Sequence, residues 1–344
     1  SIHPEKSDPD SRIDLLSGTE VRTLSLPEKK LATDGGGSIE FDKLILCTGS
    51  HPFMPPINSI DLPGVFSLRT VRDAQAILEK ARRGLRCVCV GGGILGLETA
   101  GALVRRGVDV TLLESHGYLM PRQLSATAGE IMRQFIMDLG INLLTRAQSR
   151  EFTGSGHVDG VQLADGRKIH ADMVLVTTGV RSNTWLARQA GLEVHNGITA
   201  GNRLQTSHPD VFAAGDCAEH AGVLYGSWQA AQYQGRIAGM NATGQAVEFG
   251  GLPRSHTLKV LGLGMLSIGC FEPVDGSYVT LEDESVGNYL RFVFHDGCLV
   301  GAILLGNTAL ASRIVRAMES RESFFALLKE NPSARNIASR LNEN

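Results

Sequence analysis

The 344-residue sequence is short of cysteine, of net charge and of long apolar runs, and each shortage removes a class of function. Its six cysteines (Cys47, Cys87, Cys89, Cys217, Cys270 and Cys298) include no CxxC pair and no metal-ligand spacing. That argues against a zinc site and against a disulfide-stapled secreted fold. Three of them lie in apolar runs and read as reduced, packed thiols of a cytoplasmic protein. Cys87 and Cys89 share one strand face, where packing is expected. The net charge is −3, which offers no basic surface to nucleic acid or to a membrane. No run reaches the roughly 20 apolar residues that span a bilayer. The first residues, SIHPEKSDPDSR, have no apolar core and are not a signal peptide. What remains is 42% hydrophobic and 20% charged, an ordinary globular composition long enough for two or three domains.

The most informative stretch is RCVCVGGGILGLETAGALVRRGVDVTLLE, residues 86–114. A β-branched and cysteine run enters Gly91, Gly92 and Gly93, then Ile94 and Gly96. A helical pattern follows, and a second apolar run ends on Glu114. Strand, glycine turn, helix, strand and acid form the dinucleotide-binding unit in its proper context. Gly91 makes the tight turn, Gly93 admits a pyrophosphate, and Gly96 lets the helix pack on the sheet. The helix N-terminus supplies free N–H groups and a positive dipole end. Glu114 lies 18 residues beyond Gly96, where a carboxylate accepts from ribose hydroxyls and repels a 2′-phosphate. NADH is therefore expected over NADPH.

The chain echoes itself. SIEFDKLILCTGS (38–50) superposes on RKIHADMVLVTTG (167–179) at an offset of 130, with Asp42 on Asp172, Thr48 on Thr178 and Gly49 on Gly179. Strands apolar on both faces belong inside a covered parallel sheet. Two copies suggest two related nucleotide-binding modules. The second module's glycine turn lies 87 residues before Thr178; the same interval before Thr48 falls outside this chain. A further segment of several tens of residues is accordingly expected upstream of Ser1.

Amphipathic helices are expected over 70–84 and 125–140, each with a glycine stop. A hairpin excursion is expected over 147–170, with DG turns at 159–160 and 165–166. Gly250, Gly251 and Pro253 suggest a boundary. Strands at about 256–263, 277–283, 289–295 and 298–304, then helices, suggest a small α+β domain.

A second signal is LQTSHPDVFAAGDCAEH (204–220), an apolar strand that ends on Gly215 and Asp216. A carboxylate there can accept from a polyol hydroxyl. With this stretch the chain resembles the FAD-dependent pyridine nucleotide-disulfide oxidoreductases. The motifs are TGSHP (48–52), GGGILGLE (91–98), TTG (177–179) and TSHPDVFAAGD (206–216). Within that group, SHTLKVLGLGMLSIG (255–269) and YLRFVFHDGCLVGAILLG (289–306) are similar to the rubredoxin reductase branch, which includes the flavin module of NADH-dependent nitrite reductases. The C-terminal His-Pro pair of the glutathione reductase branch is absent.

The resemblance implies an α/β fold with two Rossmann-like domains, one inserted in the other, plus a small C-terminal α+β domain. The FAD domain would be 1–68 with 180–251, the NAD(H) domain 69–179, and the last domain 252–344. It implies FAD contacts from Val21, Thr48, Gly49, Arg69, Gly215, Asp216 and Trp228. It implies NADH contacts from Gly91, Gly92, Gly93, Ile94, Gly96 and Glu114, with Gly179 at the equivalent strand end. Glu98 matches a position near the nicotinamide, and Trp228 one flanking the flavin ring. Each has a plainer reading. Thr48 can cap a strand end, Asp216 can cap the next segment, Arg69 and Glu98 can be solvated helix residues, and Trp228 can be packing.

The reaction implied is hydride transfer from NADH to FAD, for which no side-chain acid or base is required. The acceptor would be a small redox protein such as rubredoxin, another electron acceptor, or a nitrite reductase centre, with the chain a homodimer or a subunit of a larger redox complex. Alternatives are an NADH oxidase or a disulfide or coenzyme A disulfide reductase. An alternative of another class is a non-catalytic NAD-binding subunit without FAD.

Overall fold

A computed structural model describes residues 13–252, 255–273, 275–285 and 287–343. The first twelve residues and the boundary mark at Pro253 lie outside these. The chain divides into two units. One contains residues 13–51 with Arg181–Gly251; the other contains Pro52–Val180 with Leu252–Asn344.

The larger unit is built on a five-stranded parallel sheet. Its order is Val65–Ser67, Met173–Val176, Arg86–Val90, Asp109–Leu113, Asn142–Leu144. The central strands are apolar on both faces because helices cover one face and the small antiparallel sheet of residues 149–170 covers the other. Val174, Leu175 and Val176 are all at most 1% exposed. Cys87 and Cys89 lie in the same core, their sulfurs 3.9 Å apart, as packed thiols. The expected helix over 70–84 is Val71–Lys80, opened by a capping box between Thr70 and Asp73. The 125–140 helix is Ala126–Asp138, capped by the Ser125 hydroxyl. In both cases the chain leaves the helix before its stop glycine, and Gly84 (φ 76°) and Gly140 (φ 88°) turn it toward the next strand.

Two local expectations change. The excursion after residue 147 is a three-stranded antiparallel sheet, Ser149–Thr153, Gly160–Leu163 and Lys168–His170. Its first turn comes at 154–158, before the Asp159-Gly160 pair, because Gly160 already belongs to a strand. The strand expected over 256–263 is two strands, Ser255–Val260 and Leu263–Gly269. They turn at Leu261 (φ 54°) and Gly262 (φ 99°).

That hairpin opens a five-stranded antiparallel sheet that continues with Cys298–Gly306, Asn288–His295 and Tyr278–Ser285. Alternation along these strands sorts side chains to two cores. Met265, Tyr289, Ile303 and Leu305 join the core of the parallel-sheet module. Leu266, Phe292, Phe294 and Leu304 face the other way, onto Ile314, Ile337 and Leu341 of the C-terminal helices. The buried Tyr289 hydroxyl lies 3.1 Å from Ser125 Oγ, so its polar tip is satisfied where the sheet meets the helix cap.

The smaller unit holds an antiparallel sheet (Val21–Ser25, Lys30–Thr33, Ser38–Glu40) and two parallel pairs. The pairs are Leu44–Leu46 with Val211–Ala213, and Ile198–Ala200 with Ala218–His220. Lys29 and Lys43 both engage the Asp210 carboxylate at the entry to this parallel pair, holding it down to about 2. Among the described residues, no helix is long and apolar enough to cross a membrane.

Candidate nucleotide sites

In the larger unit the strand Arg86–Val90 delivers the chain to Gly91 at φ 113°. A side chain there would meet the Thr177 carbonyl at 2.6 Å. The helix Ile94–Val104 begins at Gly93, which offers no side-chain cap. Its first N–H groups are therefore left for a ligand. The face above Gly93 is open, with nothing within 4 Å of a Cβ placed there. At Gly96 such an atom would lie 2.0 Å from the Gly91 carbonyl. Only glycine lets this helix sit so close to the turn. Thr177 locks the arrangement, its hydroxyl donating to the carbonyls of Val90 and Gly91.

Glu114 follows the strand Asp109–Leu113, and its side chain is 8% exposed. One carboxylate oxygen, Oε2, accepts from the Gly92 N–H at 3.0 Å. The other, Oε1, accepts from the His116 N–H at 2.8 Å and the Ser115 hydroxyl at 3.2 Å. His116 Nδ1 lies 2.8 Å from the same oxygen. The acid is thus buried and aimed at the glycine turn. The structure brings together Gly91, Gly92, Gly93, Ile94, Gly96 and Glu114.

Glu98 lies elsewhere. Its Oε1 accepts from the Leu261 N–H at 3.0 Å, at the turn of the C-terminal hairpin. One oxygen of this half-buried carboxylate is already committed within the fold. Arg69 immediately precedes the capping box, and its N–H donates to Asp73 at 2.9 Å. Gly179, at φ 105°, accepts at its carbonyl from the Phe53 N–H.

In the smaller unit Gly215 (φ 81°) and Asp216 follow the buried strand Val211–Ala213. Asp216 Oδ2 accepts from the Ser50 hydroxyl at 3.0 Å. That bond brings the segment of Thr48 and Gly49, the two residues directly before Ser50, to the Gly215–Asp216 strand end. Thr48 is exposed, and its hydroxyl donates to the Asn183 carbonyl at 2.6 Å. Gln234 accepts from the Gly215 N–H at 2.8 Å, and its buried Nε2 has no acceptor among the described residues. Val21 opens an antiparallel strand and is half-buried. Trp228 is the first residue of the helix Trp228–Ala242 and is 67% exposed. The Cys217 thiol is buried and donates to the carbonyls of Leu46 and Ala214, a packed group.

Sequence reasoning missed Ser50, Asn183, Gln234, Thr177 and His116. Ser50 and Thr177 stand inside the quoted motifs and were open to inspection. Gln234 and Asn183 reach their partners across the fold, and no local pattern marks them.

Residues 5–235 match the family described as pyridine nucleotide-disulphide oxidoreductase, and residues 255–322 match the rubredoxin NAD+ reductase C-terminal domain. The chain belongs to the pyridine nucleotide-disulphide oxidoreductase family. It is 33% identical over 307 residues to a nitrite reductase [NAD(P)H] of Bacillus subtilis, covering 89% of this chain and 38% of that protein. It is 31% identical over 316 residues to the ferredoxin–NAD(+) reductase subunit of the benzene 1,2-dioxygenase system of Pseudomonas putida, covering 90% and 77%. Its structure is similar to that of NADH:rubredoxin oxidoreductase from Clostridium acetobutylicum. There the TM-score is 0.73 and the identity 25%, covering 89% of this chain and 77% of that one. The chain spans about two fifths of the length of the nitrite reductases it matches. The expected α/β fold with a small C-terminal antiparallel-sheet domain is borne out. The family's enzymes are NAD(P)H-dependent flavoproteins that use FAD.

Both groups can be tested against the residues present. The larger unit fits a dinucleotide pyrophosphate, with an open approach at Gly93, uncapped N–H groups and a buried acid facing the turn. The smaller unit fits part of a flavin nucleotide. It presents a strand-end carboxylate and, beside Gly215, a buried amide donor still lacking an acceptor.

Proposed function

We propose that this chain is an electron-input module that takes a hydride from NADH onto FAD and passes electrons to a small redox protein or to a nitrite reductase centre. The carrying observation is the Glu114 carboxylate, buried and turned onto the glycine-turn N–H. A carboxylate so placed accepts from ribose hydroxyls and repels a 2′-phosphate, which supports NADH as the donor. Gly91 to Ile94 would bind the pyrophosphate, and Gly96 holds the helix end where it does so. Thr48, Gly49, Gly215 and Asp216 would hold the flavin nucleotide, with Val21 and Arg69 as further flavin contacts, and Gly179 would lie at the equivalent strand end of the NADH module. Glu98 and Trp228 would lie at the reacting rings. Bound FAD supplies hydride acceptance and onward electron release. No proton-transfer residue is needed for this half-reaction, so the protein's part is orientation and exclusion of water.

The domain reading is a flavin domain of 1–68 with 180–251, an NAD(H) domain of 69–179 and a C-terminal domain of 252–344. Relatives that are ferredoxin reductases and nitrite reductases support transfer to a protein acceptor, and a relative that is an NADH oxidase supports the oxidase alternative. The packed state of Cys217 gives no support to disulfide chemistry at this strand end. The test is the flavin absorbance of the purified protein and its loss on adding NADH. Flavin absorbance that NADH bleaches supports the proposal. A colourless protein that still binds NADH would instead favour the NAD-binding subunit.

A further inference from the structure

The strands Arg86–Val90 and Asp109–Leu113 begin at two turns whose charges neither nucleotide site uses. One turn, residues 81–85, follows the helix Val71–Lys80; the other, residues 105–108, follows the helix Ile94–Val104. The Gly84 N–H donates to the Gly107 carbonyl at 2.8 Å, and the Asp109 N–H to the Leu85 carbonyl at 2.8 Å, so the turns are clamped side by side. A Cβ placed on Gly107 would lie 3.0 Å from Arg83 Cγ, which sets the Arg83 stem against the second turn. Lys80, Arg82, Arg83, Arg105 and Arg106 are all exposed here. Among the described residues none of the five has an ion pair or a side-chain hydrogen bond.

The acids nearby do not balance them. Asp172 is taken by Arg86, whose guanidinium donates to it at 2.7 and 3.1 Å, and the Arg82 charge reaches it as well. Glu79 and Asp109 are the other acids of these segments, both exposed and without an ion pair among the described residues. Five cations thus outnumber two acids, in a chain whose net charge is −3. Like charges crowded on two turns repel one another, and a surface that serves solvation alone intersperses its signs. Here the backbone clamp keeps the cations together. Four of the five are arginine, whose planar fork matches a carboxylate bidentately. Leu78, in the last turn of the first helix, is 42% exposed and adds apolar surface beside them. Arginine next to exposed apolar surface is the composition of a protein interface.

We propose that these two turns form a docking surface for an acidic segment of a partner protein, whose carboxylates pair with Arg82, Arg83, Arg105 and Arg106. The surface lies at the opposite end of the parallel sheet from Gly91 and Glu114, about 15 Å along the strands. A partner held there leaves the glycine turn clear.

The test is fluorescence anisotropy of a labelled poly-glutamate peptide titrated with the full chain, at low and at physiological salt, with an oligothymidylate of equal charge as the contrast. Wild type is compared with two fourfold variants, one carrying Arg82→Glu, Arg83→Glu, Arg105→Glu and Arg106→Glu, the other the same four positions changed to Lys. Wild type should bind the peptide, more weakly as salt rises. The Glu variant should lose more than about tenfold in affinity. The Lys variant keeps the charge but not the fork and should lose about threefold. NADH titration should be the same in all three proteins, which separates this inference from the coenzyme reading. If the fourfold Glu variant does not fold, the single changes Arg83→Glu and Arg106→Glu carry the comparison, at about threefold each. Equal peptide binding by wild type and the Glu variants overturns the inference. So does equal binding by wild type and the Lys variant, which would leave only bulk charge attraction, and so does tighter binding of the oligothymidylate, which would assign the surface to a polyphosphate.

Discussion

The strands Leu44–Leu46 and Met173–Val176 carry the same pattern 130 residues apart but have different surroundings. The second has a parallel neighbour on each side, Val65–Ser67 and Arg86–Val90, and every residue in it is buried. The first has Val211–Ala213 on one side among the described residues, and Leu44 and Ile45 are only half-buried. The acids that precede them differ likewise. Asp172 accepts from the Arg86 backbone N–H and from its guanidinium, at 3.0 and 2.7 Å. Its counterpart Asp42 is exposed. A sequence repeat records what a strand requires of its neighbours; whether the requirement is met is decided by contacts far away in the chain.

The sharpest way to break the comparison is at the glycines. Gly96→Ala sets a methyl 2.0 Å from the Gly91 carbonyl, backbone that cannot move aside. It should cost about 3 kcal/mol and abolish NADH binding, read by thermal unfolding and by titration. Gly49→Ala has open space around it, and only its φ of 69° opposes the change. That cost should be about 1 kcal/mol. Equal effects would mean that the two modules are equally packed.

The acids give a smaller effect. The Arg86 guanidinium and N–H hold the Asp172 carboxyl down to about 2, below its ordinary 3.8. A carboxyl whose folded value is lowered contributes stability above its unfolded value, and that stability is lost as pH falls from about 4 toward 2. Both groups are partly exposed, so after solvent screening Asp172→Asn should cost about 1 kcal/mol at neutral pH. It should also remove part of the acid sensitivity seen by circular dichroism between pH 4 and 2. Asp42→Asn should stay within about 0.5 kcal/mol. The smallest effect is expected at Glu98. Glu98→Gln keeps an acceptor for the Leu261 N–H and should be near neutral in denaturant melts, while Glu98→Ala should cost up to about 1 kcal/mol. A larger loss from Glu98→Gln would mean that its charge, rather than its hydrogen bond, holds the hairpin turn.

The glycine turn, its helix and Glu114 were legible because their chemistry is local: a strand, small residues and an acid at fixed intervals. The antiparallel C-terminal sheet was legible from its alternation. The break at Leu261 and Gly262 was not, since one glycine between two apolar runs reads as part of a single strand, and the positive φ of Leu261 beside it leaves no composition mark. The attachment of Glu98 to that turn joins residues 163 positions apart and was likewise hidden. Ser50 and Gln234 act on the Gly215–Asp216 strand end through tertiary contacts that no periodicity records.

The most direct measurement is the affinity of NADH for the intact chain and for Glu114→Ala, by titration at pH 8. Loss of the acid that faces the turn should weaken binding by about tenfold, or about 1.4 kcal/mol, measured well below the thermal midpoint, which the unpaired buried donors of Gly92 and His116 should lower. Equal affinity in the two proteins would contradict the placement of the nucleotide against Glu114.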